Sequence, residues 1–504
     1  MFVRTLRNKN GNSYVQVIDK SAGKFKVLKN IGHSADSKTI SQLEQDAKNF
    51  IAKQQGLQEF DFSSELNLYN SILDSISSHK LVGVEYLLGT IFDSIGFNKI
   101  DDPIFKQLVL YRLVYPSSKL KTTEYLYRYQ QIDWDENKVY RYLDKLHKTQ
   151  TELVQQISYR HTVSLLKGDP QIVFYDVTTI YFEVEREDEL RKTGFSKEGR
   201  HQNPQIVLGL LVSKNGYPLA YDIFEGNKFE GHTLLPIVDG FKAKYNLQKL
   251  VVVADAGLLS STNIEMLISK QYEFILGARI KNETRAIQQK ILTSSFKNGD
   301  AKVFEKPDNT KLIVSFSEKR AAKDAMNRER GLKRLEKQLG KGRLTKQHIN
   351  NKGYNKYLKL TGDVAITIDY EKYKDDTKWD GLKGYSTNSN LTVDEILENY
   401  NQLWQIEKAF RVSKTDLKIR PIYHRLQRRI EAHICLTFVA YKVYKELERL
   451  LKEKQATMST KMAIEIAQSI FEIELETPTT KQKINKILLL TDEQKYLSRL
   501  FHFG

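Results

Sequence analysis

The sequence PQIVFYDVTTIYFEVE, residues 170–185, sets the fold class of the middle of the chain. It is rich in β-branched and aromatic residues, which favour strands. Two similar runs follow, LVVVAD at 250–255 and YEFILGAR at 272–279, and a helical pattern precedes each of them. Because strands and helices alternate from residue 169 onwards, we predict an α/β core.

Aspartates stand at the ends of two of these apolar runs. Asp176 follows IVFY, and Asp255 follows LVVVA. The carboxyl end of a buried strand is where α/β folds place their functional sites. Two acids on neighbouring strands repel each other unless a cation neutralises them. Since the oxygen ligands are hard and no His or Cys cluster accompanies them, the pattern indicates Mg²⁺ or Mn²⁺ rather than zinc.

A third acid, Glu407, lies in NYNQLWQIEKAFRVSKTD, residues 399–416, which we predict to be one amphipathic helix. In a continuous α-helix, Tyr400, Glu407 and Lys414 lie on one face within about 20° of one another. An aromatic ring, an acid and a base on one face are typical of a surface ion pair beside a core stripe. They are also what a catalytic helix would present.

The charge balance of the 504-residue chain favours an anionic polymer as its partner. Lys and Arg number 79 against 62 Asp and Glu, a net charge of +17. Residues 319–360 hold 14 Lys or Arg and three Asp or Glu, a pattern typical either of a solvated basic helix or of a surface that follows phosphates.

Several classes of protein are disfavoured by what the sequence lacks. The single cysteine, Cys435, excludes an intrachain disulfide or a cysteine zinc site. No G-x-x-x-x-G-K-[ST] loop and no G-x-G-x-x-G follows the first β-run, which argues against an ATPase or a dinucleotide enzyme. Without a secretory signal or an apolar run of membrane-spanning length, we expect a soluble cytoplasmic protein that contacts no membrane.

We expect six segments along the chain. Thr392 and Glu395 are spaced as a capping box at the start of the Glu407 helix. The segments are a β-hairpin plus helix at 1–60, a helical region at 61–168, the first part of the core at 169–281, a basic β/α insertion at 282–385, the second part of the core at 386–450 and a helical C-terminal region at 451–504.

The helical region contains two short helical runs, TTEYLYRY and DENKVYRYLDKLHK, with QQIDW between them. They fit a helix-turn-helix whose second helix carries Asn137, Lys138, Tyr140 and Arg141. A plain helical hairpin fits the same pattern. We therefore regard Lys138 and Arg141 as candidate DNA contacts.

These blocks, taken in order, resemble those of bacterial insertion-sequence DDE transposases. The Glu407 helix reads Tyr400-x2-Leu403-x3-Glu407-x6-Lys414, which is similar to the family signature Y-(2)-R-(3)-E-(6)-K. The chain departs from the signature at Leu403, because a leucine cannot make the bidentate phosphate contact of an arginine. We expect Arg411, one turn beyond Glu407, to supply that charge.

The resemblance extends over about 170–445, where YDVTTIYFE and VVVADAGLLS look like the family's segments around its two aspartates. It implies a ribonuclease H-like core interrupted by an insertion. It further implies that Asp176, Asp255 and Glu407 are catalytic ligands of Mg²⁺, for which Mn²⁺ can substitute. Tyr400 and Lys414 are then expected to contact DNA phosphates near the cleaved end.

The activity that the resemblance implies is cut-and-paste DNA transposition. Hydrolysis frees a 3′-hydroxyl, which attacks target DNA without any nucleotide cofactor. The expected partners are double-stranded DNA, at the element ends and at the target, and further copies of the chain in a dimer or larger assembly associated with the bacterial nucleoid. A transposase-derived protein that binds DNA without cutting it, and a metal-dependent nuclease without strand transfer, are the alternatives.

Further DNA contacts are expected in the loop after the first core strand and at tryptophans. Lys197, Arg200 and His201 lie in that loop. Trp404 or Trp379 could stack on an unpaired base, although for Trp404 a core position is the preferred interpretation.

Overall fold

The computed structural model describes most of the chain. The described ranges are 1–8, 11–21, 23–55, 69–184, 186–197, 199–258, 260–350, 353–361, 365–476 and 481–504. They divide into two compact units, Met1–His79 with Ile473–Lys486, and Lys80–Glu472 with Ile487–Gly504. The expected boundary between residues 60 and 61 lies outside the described residues, and the six segment boundaries stay predictions.

The first unit contains a small antiparallel sheet, one long helix and most residues of a second three-stranded sheet. Strands β1 (Phe2–Arg7), β2 (Ser13–Asp19) and β3 (Lys26–Ser34) pair in chain order, and helix α1 (Ser37–Gln54) packs on them. The strands β2 and β3 confirm the predicted hairpin. A second sheet has the order β16-β15-β4, with β4 at Ile76–Leu81, β15 at Phe471–Glu476 and β16 at Lys483–Leu488.

This second sheet corrects the expectation of helical regions at 61–168 and 451–504, because β4, β15 and β16 lie in these ranges. The segment FEIELE at Phe471–Glu476 alternates apolar and acidic residues with a period of two, which is the pattern of a strand. Helical neighbours on the N-terminal side of this short run led to the wrong interpretation.

The second unit begins with helices that surround one long C-terminal helix. They are α2 (Thr90–Ile95), α3 (Pro103–Val114), α4 (Lys119–Gln130), α5 (Glu136–Lys145) and α6 (Thr151–Leu166). Helices α3, α5 and α6 contact the long C-terminal helix at Gln427–Glu453, most of whose residues are buried. Burial of this apolar surface is the main favourable contribution to the folding of the helical region.

An eight-stranded mixed sheet forms the centre of the second unit, in the order β10-β11-β14-β9-β8-β5-β6-β7. Its strands are β5 (Ile172–Tyr181), β6 (Gln205–Ser213), β7 (Pro218–Glu225), β8 (Val251–Ala254), β9 (Glu273–Ala278), β10 (Ala301–Glu305), β11 (Lys311–Phe316) and β14 (Leu382–Thr387). Strands β5, β8 and β9 are parallel neighbours, whereas β5, β6 and β7 are antiparallel. The predicted α/β class is confirmed.

Helices cover this sheet between its strands. They are α7 (Leu234–Tyr245), α8 (Ser261–Ser269) and α9 (Arg285–Thr293). Alternate residues of each central strand enter two separate apolar clusters, because successive side chains point to opposite faces. Both faces of the sheet are therefore buried, as the nearly continuous apolar strands require.

The segment expected as a basic insertion lies only partly outside the sheet. Strands β10 and β11 extend it through pairing of β11 with β14. The remainder comprises α10 (Glu318–Gly340), β12 (Leu358–Thr361), β13 (Ala365–Ile368) and α11 (Tyr370–Asp375). Helix α10 is not uniformly solvated, because Arg328 is buried and binds Asp380 through both terminal nitrogens.

The remaining helices carry the third acid and close the chain. They are α12 (Val393–Asn401), α13 (Trp404–Thr415), α14 (Gln427–Glu453), α15 (Thr460–Ala467) and α16 (Asp492–Phe501). The predicted capping box of Thr392 and Glu395 at the start of α12 is confirmed. Among the described helices, none combines the length and the apolar character that crossing a membrane requires.

Candidate active site

Two of the expected site residues lie side by side on neighbouring strands. Strands β5 and β8 run parallel in a register that pairs Tyr175 with Ala254 at its last step. Asp176 and Asp255 each come directly after that pair, so the register brings the two acids next to each other. Asp176 is partly buried and Asp255 is exposed. The strand-end prediction holds for Asp255, but it is wrong for Asp176, because β5 continues past this residue to Tyr181 in its pairing with β6.

Backbone amides hold both carboxylates in place. The Val177 amide donates to Asp176 Oδ1 at 2.8 Å, and the Gly257 amide donates to Asp255 Oδ1 at 2.7 Å. Burial raises the pKa of Asp176 to about 6, against the opposing effect of the Lys197 ammonium, and the negative charge of Asp255 adds to the rise. Such a pKa indicates a carboxylate whose charge is poorly compensated, as expected for a cation ligand.

Lys197 lies within this acidic site. Its Nζ donates to the Val177 carbonyl at 2.7 Å and lies 3.5 Å from Asp176 Oδ1. Lys197 Nζ also lies 3.2 Å from Glu230 Oε1. The two groups form an ion pair, but their geometry is not that of a hydrogen bond. Although burial lowers the pKa of Lys197, the charges of Asp176 and Glu230 outweigh it and raise that pKa. The lysine expected to contact DNA therefore compensates the acids.

Glu230 is a residue that the sequence analysis missed. It follows β7 by five residues, in a loop whose sequence has no apolar run directly before the acid, so the strand-end rule does not identify it. Its charge contributes to the raised pKa of Asp176. The stretch EGNKFEGHTL offered one signal, an acid in a glycine-containing loop beside the core strands.

The Glu407 segment differs from the predicted single helix. Helix α12 ends at Asn401 and α13 begins at Trp404. The Leu403 amide donates to the Tyr400 carbonyl at 3.0 Å, and the Ile406 amide to the Leu403 carbonyl at 3.2 Å. These i to i−3 bonds turn the chain by about 120° per residue instead of about 100°. The prediction of one continuous helix is therefore wrong, and Tyr400 lies on α12 while Glu407 and Lys414 lie on α13.

The tighter turn also decides which neighbouring side chains are buried. Leu403 is 8% exposed and lies in the core, whereas Trp404 is 48% exposed. The preferred core position for Trp404 is thus wrong. Trp379 is buried in an apolar cluster, so its ring is not available to stack on a base.

Tyr400 links the surroundings of the second and third acids. Its ring is 8% exposed and contacts Tyr385 edge to face, with centroids 4.8 Å apart. Lys383 Nζ lies 4.5 Å from the centre of the same ring. Burial raises the pKa of Tyr400 well above its usual range, and the charges of Asp255 and Glu407 add to that rise. Both acids therefore act on one buried phenol.

The three carboxylates do not form one metal-binding cluster in this structure. Across the described ranges, no group of three or more His, Cys, Asp or Glu is close enough to hold a metal ion. The structure brings Asp176 and Asp255 together, while Glu407 lies exposed on α13. The pair offers only carboxylate oxygens as ligands, and burial raises the pKa of Asp176 despite the nearby Lys197. These two properties fit a hard divalent cation.

The basic side chains expected to contact DNA differ in their burial. Burial and the nearby Lys197 charge lower the pKa of Lys414 to about 8. Arg411 is exposed on α13, and Arg200 is exposed with its guanidinium 4.4 Å from the Tyr181 ring at the end of β5. His201 accepts a hydrogen bond from the Ser196 amide at 3.2 Å, which stabilises the loop.

The second helix of the candidate helix-turn-helix is α5. Lys138 and Arg141 are exposed, as is Asn137, while Tyr142 and Leu143 face the core. Lys138 Nζ lies 5.1 Å from the Trp134 ring. The helix thus presents a basic face to solvent, but its role in reading DNA stays a prediction.

Neighbouring acids on two parallel strands of a mixed sheet, together with Glu407 on helix α13, are typical of α/β proteins whose active site lies beside the central strands. The sequence matches the family model of the transposase DDE domain over residues 167–442. The match spans more than half of the chain and includes all three acids, and the chain belongs to the DDE transposase family. Its expected bacterial insertion-sequence origin stays a prediction.

Comparisons with solved structures find transposases. The chain is similar to a piggyBac transposase in a synaptic complex with hairpin DNA, with a TM-score of 0.38 and 9% identity over 76% of this chain and 79% of that one. It is also similar to Mos1 transposase in a paired-end complex with the left transposon end, with a TM-score of 0.16 and 12% identity over 34% and 58%. A Mos1 mariner paired-end complex with Mn gives a TM-score of 0.15 and 13% identity over 31% and 54%.

At these TM-scores the structural similarities support no conclusion about this chain. A sequence comparison with curated proteins found no match. The assignment to the family therefore depends on the family-model match.

Proposed function

We propose that this protein is an active DNA transposase that cleaves the ends of its element and joins them to target DNA. The observation that carries the proposal is the pair Asp176 and Asp255, placed side by side by the parallel register of β5 and β8 within the matched domain. The mixed order of the eight-stranded sheet, with three antiparallel strands followed by parallel neighbours, supports a ribonuclease H-like core.

In this proposal Asp176, Asp255 and Glu407 hold Mg²⁺, for which Mn²⁺ can substitute. A divalent cation bound by carboxylates at a phosphodiester lowers the pKa of water and stabilises the leaving oxygen. The chain contributes a fixed orientation of both aspartates, through the amides of Val177 and Gly257. Glu407, exposed on α13, would supply the third carboxylate.

Basic residues near the acids then position the DNA. Lys414 is suited to a phosphate next to the cleaved bond, because its partly buried ammonium lies close enough to Asp176 to be affected by that charge. Arg411 and Arg200 extend this surface, and Trp404 is exposed enough to stack on an unpaired base. The helix α5, with Lys138 and Arg141, is the proposed reader of the element ends.

The test is a cleavage and joining assay on a supercoiled plasmid that carries the DNA flanking this gene, with Mg²⁺ or with EDTA. Wild-type protein should give metal-dependent cuts and joined products. Glu407→Ala should abolish both while binding the flanking DNA with nearly unchanged affinity. A matched control is Glu398→Ala, because this exposed acid lies on α12 and pairs with Lys214 at 2.8 Å.

Each outcome of this assay has a distinct meaning. Cleavage by Glu407→Ala at the wild-type rate would remove Glu407 from the site. Cuts without joining would indicate a nuclease, and binding without cuts by the wild type would indicate an inactive DNA-binding protein. A dimer or larger assembly is expected when two ends are bound, which sedimentation with and without DNA would measure.

A further inference from the structure

A cavity of about 500 Å³ lies in the second unit between the α3–α4 connection and the loop that follows α13. Its walls are unusually basic. Four Lys or Arg and two His line it, against a single acid, Glu136. The six basic residues are Arg112, Lys119, Lys418, Arg420, His424 and His433.

Two of these cations are buried without a counter-charge. Arg112 and Lys119 are each 4% exposed. The Lys119 ammonium has no hydrogen bond or ion pair with any residue that the structure describes. Arg112 donates at 3.4 Å to the Lys418 carbonyl and lies 3.5 Å from His433 Nδ1, while its Nε has no partner within the described chain. A buried unpaired charge is costly, so such an arrangement needs an anion to offset it.

The acids nearby are already engaged. Glu136 accepts a hydrogen bond from the Tyr140 hydroxyl. Asp144 binds Arg428 and Arg429, at 2.8 and 3.0 Å. Burial, with a smaller effect of the Arg112 charge, holds the pKa of Lys119 well below its usual range, and burial lowers the pKa of Arg112 to about 10. Both pKa values are lowered because no negative charge among the described side chains lies close enough to stabilise the two buried cations.

The start of α4 adds neutral donors to the same cavity. Ser118 caps this helix of 12 residues, with its Oγ accepting from the Lys121 amide at 3.2 Å. Ser117, Ser118 and Leu120 line the cavity beside Lys119. The first amides of an α-helix have no partner within the helix, and its N-terminus attracts anions. Buried cations, hydroxyls and a helix N-terminus therefore converge on one space.

We propose that this cavity binds a phosphate group, and that the phosphate belongs to a DNA strand held by the enzyme. The inference that phosphate binds here depends only on the residues of the cavity. The inference that this phosphate belongs to DNA rests on the proposed function. Arg420 connects the two regions, since its guanidinium lies 5.3 Å from the Tyr181 ring, at the end of the strand that carries Asp176. Tyr423, 71% exposed, gives the rim an aromatic surface on which a sugar or base can pack.

The first test measures inorganic phosphate with the full-length protein. Phosphate should raise the unfolding temperature of the wild type above that in chloride at equal ionic strength. Lys119→Met should abolish this rise. Lys121→Met is the matched control, because Lys121 lies on the same helix, is exposed and pairs with Glu124. An equal rise in Lys119→Met and the wild type would overturn the phosphate site.

The second test identifies the source of the phosphate. Binding of a labelled DNA duplex is measured at several salt concentrations. Loss of one phosphate contact in Lys119→Met should weaken binding at least about fivefold and reduce the slope of log K against log salt by about 0.9. If phosphate binding is lost in the variant while its DNA affinity and salt slope equal those of the wild type, the DNA source is overturned and the ligand is a free anion.

A second substitution keeps both tests decisive if Lys119→Met does not fold. Leu120 lies at the cavity with 52% of its surface exposed. Leu120→Glu should repel the phosphate and abolish both responses, whereas Leu120→Gln should retain them. Equal responses of these two variants would overturn the proposal. Neither test requires DNA cleavage, so a failure of the proposed transposase activity would remain distinguishable from a failure of the phosphate site.

Discussion

Replacing Gly277 by alanine should displace Tyr400 from the candidate active site. Gly277 lies in β9, between β8 and β14, where an added Cβ would meet Tyr400 Oη at 2.4 Å and the Ala256 amide nitrogen at 3.0 Å. Both distances are shorter than normal contacts. Tyr400 cannot yield freely, because it is 8% exposed and packs against Tyr385 with centroids 4.8 Å apart.

The expected cost follows from overpacking a filled site. Forcing one extra carbon into well-packed surroundings typically costs about 1–3 kcal/mol. Here the contact is with the end of a tyrosine ring and with backbone, and only the ring can move. We therefore expect Gly277→Ala to lower the free energy of unfolding by about 2 kcal/mol. Because Tyr400 neighbours both Asp255 and Glu407, DNA cleavage should also fall, with little change in DNA binding.

The assay is denaturant unfolding together with single-turnover DNA cleavage. Gly240→Ala is the matched control, since Gly240 lies in α7 and an added Cβ there meets no atom within 4 Å. That control should gain up to about 1 kcal/mol from the better helix propensity of alanine and should cleave normally. If Gly277→Ala were as stable and as active as Gly240→Ala, Tyr400 would not occupy the position described above.

Three further predictions concern stability. Burial lowers the pKa of His161 to about 4, below its ordinary value of 6.5. The unfolded chain then binds the extra proton first, so stability should fall as the pH drops from about 6.5 to 4, by up to about 3 kcal/mol. Urea unfolding of the wild type and His161→Gln at pH 7 and 4.5 would measure this, and an equal pH dependence would contradict it. Although burial opposes the effect, hydrogen bonds from Lys281 and Lys356 hold the pKa of Asp376 far below its usual range, so its contribution is present above about pH 4 and is lost in acid. Asp376→Asn should cost about 1 kcal/mol after solvent screening, as urea unfolding at pH 7 would show. Thr392→Ala removes the cap of α12 and should cost about 1 kcal/mol, whereas Thr392→Ser should restore it.

The strand-borne part of the site could be predicted because its signals are local. Apolar runs before Asp176 and Asp255 identify two buried strands, although β5 continues past Asp176 and only Asp255 follows the end of its strand. Parallel pairing in register then brings the acids together without any further information. The same reasoning located the capping box at Thr392, whose donor and acceptor are three residues apart.

The helix-borne part could not be read in the same way. Residues 399–416 have an acceptable helical period throughout, and no proline or glycine marks the tight turn near Leu403. Two i to i−3 bonds there change the rotation of everything that follows. The choice between Leu403 and Trp404 as the buried residue depends on which one meets the core, and that is a tertiary property.

The basic cavity shows why charge in a sequence and charge in a site are different quantities. Lys119 and Arg112 look like ordinary helical cations among the chain's 79 Lys and Arg. Elsewhere in the described chain, buried Arg and Lys have partners, as Arg328 has in Asp380 and Lys442 has in the Ser158 carbonyl. What distinguishes Lys119 is the absence of any described partner after it is buried, and this appears only when α3, α4 and the loop after α13 are assembled. An isolated buried ammonium is unfavourable in the free protein, so substituting methionine for it should stabilise the protein without phosphate while removing the response to phosphate. A structural lysine would show the opposite, a loss of stability under both conditions.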